Sequence, residues 1–157
     1  MNVLMKRGLF GLSTIMTCSS DAMFAFCFMS HLHFLCHVCI SFLTCGFFGQ
    51  IWQLVCNWLR VHSTDPSNIV DHFLQFGTSS GHAKSRCSFM FLIWFASSWV
   101  IWKERNARFF QGTENSPSQL LESIKLLSFS WYKANFVVFH YQFHAWCRNP
   151  FLCLGIG

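Results

Sequence analysis

The chain contains few charged residues and very few acids. Only 11% of its 157 residues are Asp, Glu, Lys or Arg, whereas soluble domains usually carry about 25%. Hydrolysis and two-metal phosphoryl transfer need several converging carboxylates. The sequence also lacks the G-x-S-x-G elbow, the Walker phosphate loop and the G-x-G-x-x-G turn. We therefore expect no enzyme, no catalytic residues and no small-molecule substrate. The acids are Asp21, Asp65, Asp71, Glu104, Glu114 and Glu122.

Long runs of like charge and a regular cysteine framework are missing as well. The formal net charge is +5, but the basic residues are scattered, so no nucleic-acid patch can be read from the linear sequence. The nine cysteines are odd in number and irregularly spaced, unlike a small secreted disulfide scaffold. We expect reduced thiols that act mostly as small buried apolar groups.

Apolar and aromatic residues are abundant, with 53% hydrophobic residues and 20 Phe. No formal charge occurs between Ala22 and Arg60, and the segment 22–48 exceeds the roughly 20 residues that cross a bilayer. However, His31, His33 and His37 lie inside it, and imidazoles are unfavourable in hydrocarbon unless paired or facing protein. Two interpretations stay open. One is a lipid-contacting membrane span, which hydropathy favours, and the other is an apolar helix of an intracellular soluble protein.

The same segment holds the one cluster that resembles a metal site. Cys36 and Cys39 form a C-x2-C pair, and His31 lies five residues before Cys36. Zinc prefers thiolate and imidazole ligands in a closed tetrahedral shell. We favour the interpretation that these are buried Cys and His side chains of an aromatic helix, so we expect no cofactor; the alternative is a zinc site at His31, Cys36 and Cys39.

Periodicity predicts a mainly α fold with four helices at about 47–61, 66–76, 86–110 and 117–134. An apolar N-terminal helix precedes them, and an irregular tail follows from Trp146. The first helix has one apolar face that comprises Phe48, Ile51, Trp52, Val55, Trp58 and Leu59. For residues 136–144, a short strand and an irregular segment fit equally well.

The second helix is predicted to begin at Asp65 as the N-cap and Pro66 as the first helical residue. Gly77 would end it as a left-handed cap. Its expected apolar stripe consists of Ile69, Val70, Phe73 and Phe76.

The third helix is apolar on nearly all sides, which indicates a central core helix. Its last turns should enter water at Lys103, with Glu104 on a solvated turn and Gly112 as the stop. Trp99, Trp102 and Phe109 lie beside cations, a combination that stacks on single-stranded nucleic acid. Cations are also ordinary at a helix C-terminus, and we favour that simpler interpretation.

The fourth helix begins with a capping box. Ser116 is followed by Pro117 and, three residues after the serine, by Gln119. The apolar stripe that follows consists of Leu120, Ile124, Leu127 and Trp131.

From about residue 46 onward, the chain resembles the post-polymerase tail of plant non-LTR retrotransposon proteins of the legume type, the region known as the reverse-transcriptase zinc-binding domain. The most specific part is Trp99-Val-Ile-Trp-Lys-Glu-Arg-Asn106 with Phe109. Supporting matches are Ile51-Trp52, Trp58-Leu59, Asp65-Pro66, Asp71-His-Phe-Leu-Gln-Phe76, Ile93-Trp94, Leu126-Leu127, Trp131-Tyr-Lys-Ala-Asn135, Trp146, Asn149-Pro150 and Cys153-Leu-Gly155.

The resemblance implies a truncated, degenerate and non-enzymatic remnant with nucleic acid as a partner only in its ancestral role. It also implies that His31 and Cys36 descend from zinc ligands. The expected organisation is an unmatched segment 1–21, an apolar segment 22–48 and a helical domain 47–157. The alternative function is a small single-pass transmembrane protein that spans the bilayer at 22–48.

Overall fold

The computed structural model describes residues 45–62, 68–135 and 139–155. Within these ranges the chain is mainly helical and has no strand, which confirms the predicted fold class. The helices are α1 (Gly46–Leu59), α2 (Ile69–Thr78), α3 (Lys84–Gln111), α4 (Pro117–Asn135), α5 (Phe143–Arg148) and α6 (Pro150–Cys153).

The 28-residue helix α3 forms the centre of the core. At 1.5 Å per residue it is about 42 Å long, and it packs against α1, α2 and α4. Its middle is buried on almost every side, as the sequence predicts for a helix that is apolar all round. The buried apolar residues of α3 are Phe89, Met90, Leu92, Ile93, Trp94, Phe95, Ala96, Val100 and Ile101.

Helix α1 has the predicted amphipathic pattern. The residues of its predicted apolar face are buried except Trp58, which is partly buried. The Trp58 indole N–H donates to the Cys147 carbonyl oxygen over 2.9 Å, which joins α1 to α5. The helix ends at Leu59, and the φ of 56° at its C-cap Arg60 lies in the left-handed region.

Helix α2 begins later than predicted. Asn68 is its N-cap, and its side-chain oxygen accepts hydrogen bonds from the N–H groups of Val70 and Asp71. The predicted start at Asp65 and Pro66 lies outside the described residues. Val70, which belongs to the predicted apolar stripe, is exposed, whereas the polar ring of His72 is buried in the core.

The prediction that Gly77 ends α2 is wrong. Gly77 lies inside the helix and is buried, and Ser79 is the C-cap. The glycine serves a close approach instead, because a Cβ placed there would lie 2.0 Å from Cε1 of Phe91 on α3. The absence of a side chain therefore lets α2 lie tightly against α3.

The predicted junction between α3 and α4 is confirmed. Gly112 ends α3 with a φ of 63°. The Ser116 N–H donates to Oε1 of Gln119 over 2.8 Å, and the Gln119 N–H donates to Oγ of Ser116 over 3.3 Å. These two bonds form the reciprocal pair of a capping box.

The C-terminal tail is not irregular, contrary to prediction, because it contains α5 and α6. Trp146 of α5 is fully buried and donates its indole N–H to Oγ of Ser128 over 3.2 Å. Asn149 caps α6, and Pro150 is its first residue. Helices this short show no apolar periodicity. The one sequence signal that could have indicated α6 is the Asn149-Pro150 pair, an N-cap followed by proline at the first helical position.

Residues 139–142 have no regular structure, and α5 begins at Phe143. Across the described ranges, no helix combines the length and apolarity that a bilayer crossing requires. The predicted span at 22–48 lies outside those ranges except for its last residues, which belong to the start of α1.

Candidate functional site at the carboxyl end of α3

The motif that carries the family resemblance lies on the last turns of α3, where helical spacing divides its residues between two opposite faces. One face holds Glu104 and Arg108 and points toward the junction with α4. The other face we call the outer stripe. Its residues recur at the i, i+3, i+4 and i+7 spacing of a single helix face. The outer stripe consists of Trp99, Trp102, Lys103, Asn106, Phe109 and Phe110.

Glu104 is buried, with 3% of its surface exposed, so the prediction of a solvated turn is wrong. Its Oε1 accepts hydrogen bonds from Nε of Arg108 over 2.7 Å and from the Asn115 N–H over 2.8 Å. Its Oε2 accepts from Nδ2 of Asn115 over 2.7 Å. The Arg108 guanidinium also donates to the Asn115 carbonyl oxygen over 2.8 Å. The carboxylate thus fixes the residue that precedes the capping box of α4.

Two opposing effects set the pKa of Glu104. Burial alone would raise it, but the Asn115 side chain, the Asn115 backbone N–H and the Arg108 guanidinium together outweigh burial and hold the pKa below its usual range. A general base or acid works best with a pKa near the operating pH. The environment of Glu104 keeps it ionised and fully hydrogen-bonded, which suits a structural role.

Arg108 also connects the network to α1. Its guanidinium carbon lies 3.8 Å from the centre of the Phe47 ring, which is within the range of a cation–π contact. The start of α1, the end of α3 and the start of α4 therefore meet at Arg108.

The outer stripe combines exposed aromatic rings with cations. Trp99 and Trp102 stack on each other with ring centres 5.1 Å apart. Phe109 and Phe110 are 82% and 76% exposed, although large apolar side chains are usually covered. The sequence had indicated the first three of these rings beside cations, and the helical projection could also have indicated Phe110.

The cations near the stripe lack acidic partners in the part of the chain that the structure describes. Lys103 is exposed and Arg105 is half-buried, and neither belongs to an ion pair there. Glu104, the acid between them in sequence, faces the opposite way and is paired with Arg108.

A second buried polar group lies between α2 and α3. His72 accepts the Trp94 indole N–H at Nδ1 over 2.9 Å. The Trp52 ring meets the imidazole edge-on, with ring centres 4.5 Å apart. This cluster is packed within the core, so we interpret His72 as a structural histidine that satisfies a buried indole.

Three thiols of the described residues are poor nucleophile candidates. Burial raises the pKa of Cys87, Cys147 and Cys153, which lowers the thiolate fraction that nucleophilic attack requires. No disulfide joins these cysteines to one another or to Cys45 and Cys56.

The predicted zinc ligands His31, Cys36 and Cys39 lie outside the described residues. Among residues 45–62, 68–135 and 139–155, no group of three or more His, Cys, Asp or Glu side chains could hold a metal ion. Comparisons with protein-family models, with curated proteins and with solved structures find no match to the chain.

Proposed function

We propose that the chain is a non-enzymatic remnant of a retrotransposon protein, derived from the tail that follows the reverse transcriptase. In this proposal the region from α1 to α6 packs as a helical module without turnover. The resemblance centred on residues 99–109 supports the origin. The lack of catalysis is supported by the carboxylates of the described residues, which are engaged in local contacts or dispersed.

The burial of Glu104 is the observation that carries this proposal. The one acid of the family-like motif is fully engaged by Arg108 and Asn115, and the other acids of the described residues are dispersed. Asp71 accepts from the Asn68 side chain in the first turn of α2, Glu122 pairs with Lys125 over 2.7 Å, and Glu114 is exposed in a loop. These carboxylates do not converge on one site, as metal-assisted hydrolysis requires.

An activity assay with matched variants tests the lack of catalysis. The full chain is incubated with single- and double-stranded DNA and RNA and with an unfolded protein, in the presence of Mg²⁺, Mn²⁺ or Zn²⁺. We expect no turnover above that of a mock preparation. Turnover that Glu104→Gln or Asp71→Asn abolishes in a folded protein would overturn the proposal.

The origin has its own test in the coding DNA. A degenerate retroelement copy should have many near-identical relatives in the same genome, some of which continue upstream into an open polymerase frame. A single-copy locus without such relatives would contradict the proposed origin.

Zinc binding by His31, Cys36 and Cys39, as a retained ligand set, is an alternative to the absence of a cofactor. The metal content of the purified full chain measures it directly. A retained ligand set would give stoichiometric zinc that His31→Ala, Cys36→Ala and Cys39→Ala each reduce. The matched controls are His140→Ala and Cys87→Ala, which lie in the helical module. Zinc-free protein from zinc-supplemented cells would reject the site.

The alternative proposal is a small single-pass membrane protein. The uncharged stretch between Ala22 and Arg60 favours it, because a span of about 20 apolar residues partitions into lipid. Carbonate extraction of the tagged full chain separates the two proposals. Release into the supernatant would reject the span, and retention that only detergent reverses would support it.

A further inference from the structure

We propose that the outer stripe of α3 binds single-stranded nucleic acid, with bases stacked on its aromatic rings and phosphates beside Lys103 and Arg105. The inference does not depend on the retrotransposon origin or on the lack of turnover. It follows from the exposure, spacing and charge of the stripe.

The exposure of the aromatic rings is the first argument. Phe109 and Phe110 contact each other edge to face, with ring centres 4.8 Å apart, yet most of their surface remains open to solvent. Trp99 and Trp102 lie further along the same face, half-buried and stacked. From Trp99 to Phe110 the stripe extends about 16 Å along the helix axis. Aromatic platforms of this kind stack bases without regard to sequence.

The second argument is the sign of the charge. Lys103 lies on the stripe and Arg105 lies at its border, without ion-pair partners among the described residues. Because Glu104 faces the α4 junction and is neutralised by Arg108, its charge does not oppose an anion on the outer stripe. Glu114, in the following loop, is the nearest other acid in sequence. The local surface thus suits a partner that carries regularly spaced negative charges.

The interleaving of polar and aromatic residues selects nucleic acid over lipid and over a second copy. Helices that lie in a membrane interface separate an apolar face from a polar one, whereas Asn106 lies within this stripe and Lys103 lies between its two aromatic pairs along the helix axis. A symmetric contact with a second copy would set one basic stripe against another, and like charges repel. A single strand offers phosphates and flat bases together, so it matches both elements of the stripe.

Fluorescence anisotropy of labelled oligothymidylate and oligouridylate, titrated with the full chain at low salt, tests this proposal. We expect saturable binding that weakens as salt rises from about 50 to about 200 mM. The double variant Phe109→Ala/Phe110→Ala should weaken binding by about 10-fold or more, because each stacked base contributes strongly. Lys103→Gln should lower the slope of log affinity against log salt by about 0.7, the value for one phosphate contact on a single strand.

Matched variants elsewhere on the surface serve as controls. Tyr141→Ala removes another exposed aromatic ring, and Lys84→Gln removes another exposed cation at the opposite end of α3. Both should bind like the parent chain. Circular dichroism and thermal unfolding establish that each variant is folded, which we expect because the altered side chains are exposed.

Three results would overturn the proposal. The first is no binding of either oligonucleotide at low salt. The second is binding that the stripe variants and the control variants change equally. The third is that Phe109→Ala/Phe110→Ala binds oligonucleotides like the parent chain but loses binding to anionic vesicles, or loses self-association measured by sedimentation.

Discussion

The indole N–H of Trp94 donates a hydrogen bond to Nδ1 of His72, and the two atoms lie 2.9 Å apart. Both side chains are buried, so the bond lies inside the contact between α2 and α3. For Nδ1 to accept, the ring must be neutral with its proton on Nε2. The imidazole thus gives a buried donor its partner at a place where an apolar residue would leave the donor unsatisfied.

Replacing His72 with Phe should destabilise the fold although the new ring has a similar shape. The Trp94 N–H would lose its acceptor, and an unsatisfied buried donor costs about 2 kcal/mol. Urea denaturation followed by tryptophan fluorescence measures the change in the free energy of unfolding. His144→Phe, at an exposed position of α5, is the control and should cost less than about 0.5 kcal/mol. Equal stability of the two variants would show that the acceptor is dispensable.

The buried Glu104 should make the free energy of unfolding depend on pH in the acidic range. Because its pKa is lower in the folded chain than in the unfolded chain, the stabilisation is complete above the unfolded value of about 4.3. It is lost as the pH falls through the folded pKa. Glu104→Gln should cost about 2 kcal/mol at pH 7, since it removes the charge that Arg108 faces and places an amide N–H₂ opposite the Nδ2 donor of Asn115. Near pH 3 the parent and the variant should differ much less.

Unfolding curves of both proteins at pH 7 and pH 3 check this prediction, with the exposed Glu114→Gln as the control. If the difference between parent and Glu104→Gln stayed constant with pH, the charge of Glu104 would not be the source of the stabilisation.

The close approach of α2 to α3 can be tested at Gly77. In an ordinary helix interior, Gly→Ala stabilises by about 1 kcal/mol. Here the new Cβ would displace the Phe91 ring from its stack on Phe73, where the ring centres are 4.5 Å apart. We therefore expect Gly77→Ala to lower stability by about 1–2 kcal/mol.

Adding Phe91→Leu to Gly77→Ala should recover part of that loss, because the shorter side chain makes room for the methyl group. Thermal melting of the single and double variants measures this. Gly46→Ala is the control, since a Cβ at Gly46 meets nothing within 4 Å. A higher melting temperature for Gly77→Ala alone would contradict the steric account.

The capping box at the start of α4 should contribute measurably to stability. Ser116→Ala removes the acceptor for the Gln119 N–H and should cost about 1 kcal/mol. Ser118→Ala lies in the same exposed turn and is not an N-cap, so it should be nearly neutral. The midpoints of urea unfolding distinguish the two variants, provided that both unfold with the same dependence of free energy on urea concentration.

Much of the helical scaffold could be predicted because long helices repeat their apolar residues and carry local end signals. The face of α1, the stop at Gly112 and the box at Ser116 follow from such short-range rules. What the sequence did not reveal depends on tertiary neighbours. In the sequence alone Gly77 indicates a helix end, and only the contact with the Phe91 ring explains why a glycine lies inside the helix. Likewise, Trp146 lies in a stretch that the sequence indicates as irregular, and its buried position depends on the hydrogen bond to Ser128.

The candidate site likewise has features that the sequence shows and features that depend on tertiary neighbours. The aromatic and basic character of residues 99–110 is plain in the sequence, but which side each residue faces depends on where α4 packs. Glu104 appeared solvated because two cations flank it, and only its distant partner Asn115 shows that it points inward.

The contact of Arg108 with Phe47 sets a limit on how far the chain can be shortened from its amino terminus. A fragment that began after Phe47 would strip the ring from the guanidinium and open the junction of α1, α3 and α4 to water. A trimmed version must therefore retain Phe47 if crystallisation or labelling is to work on an intact helical unit.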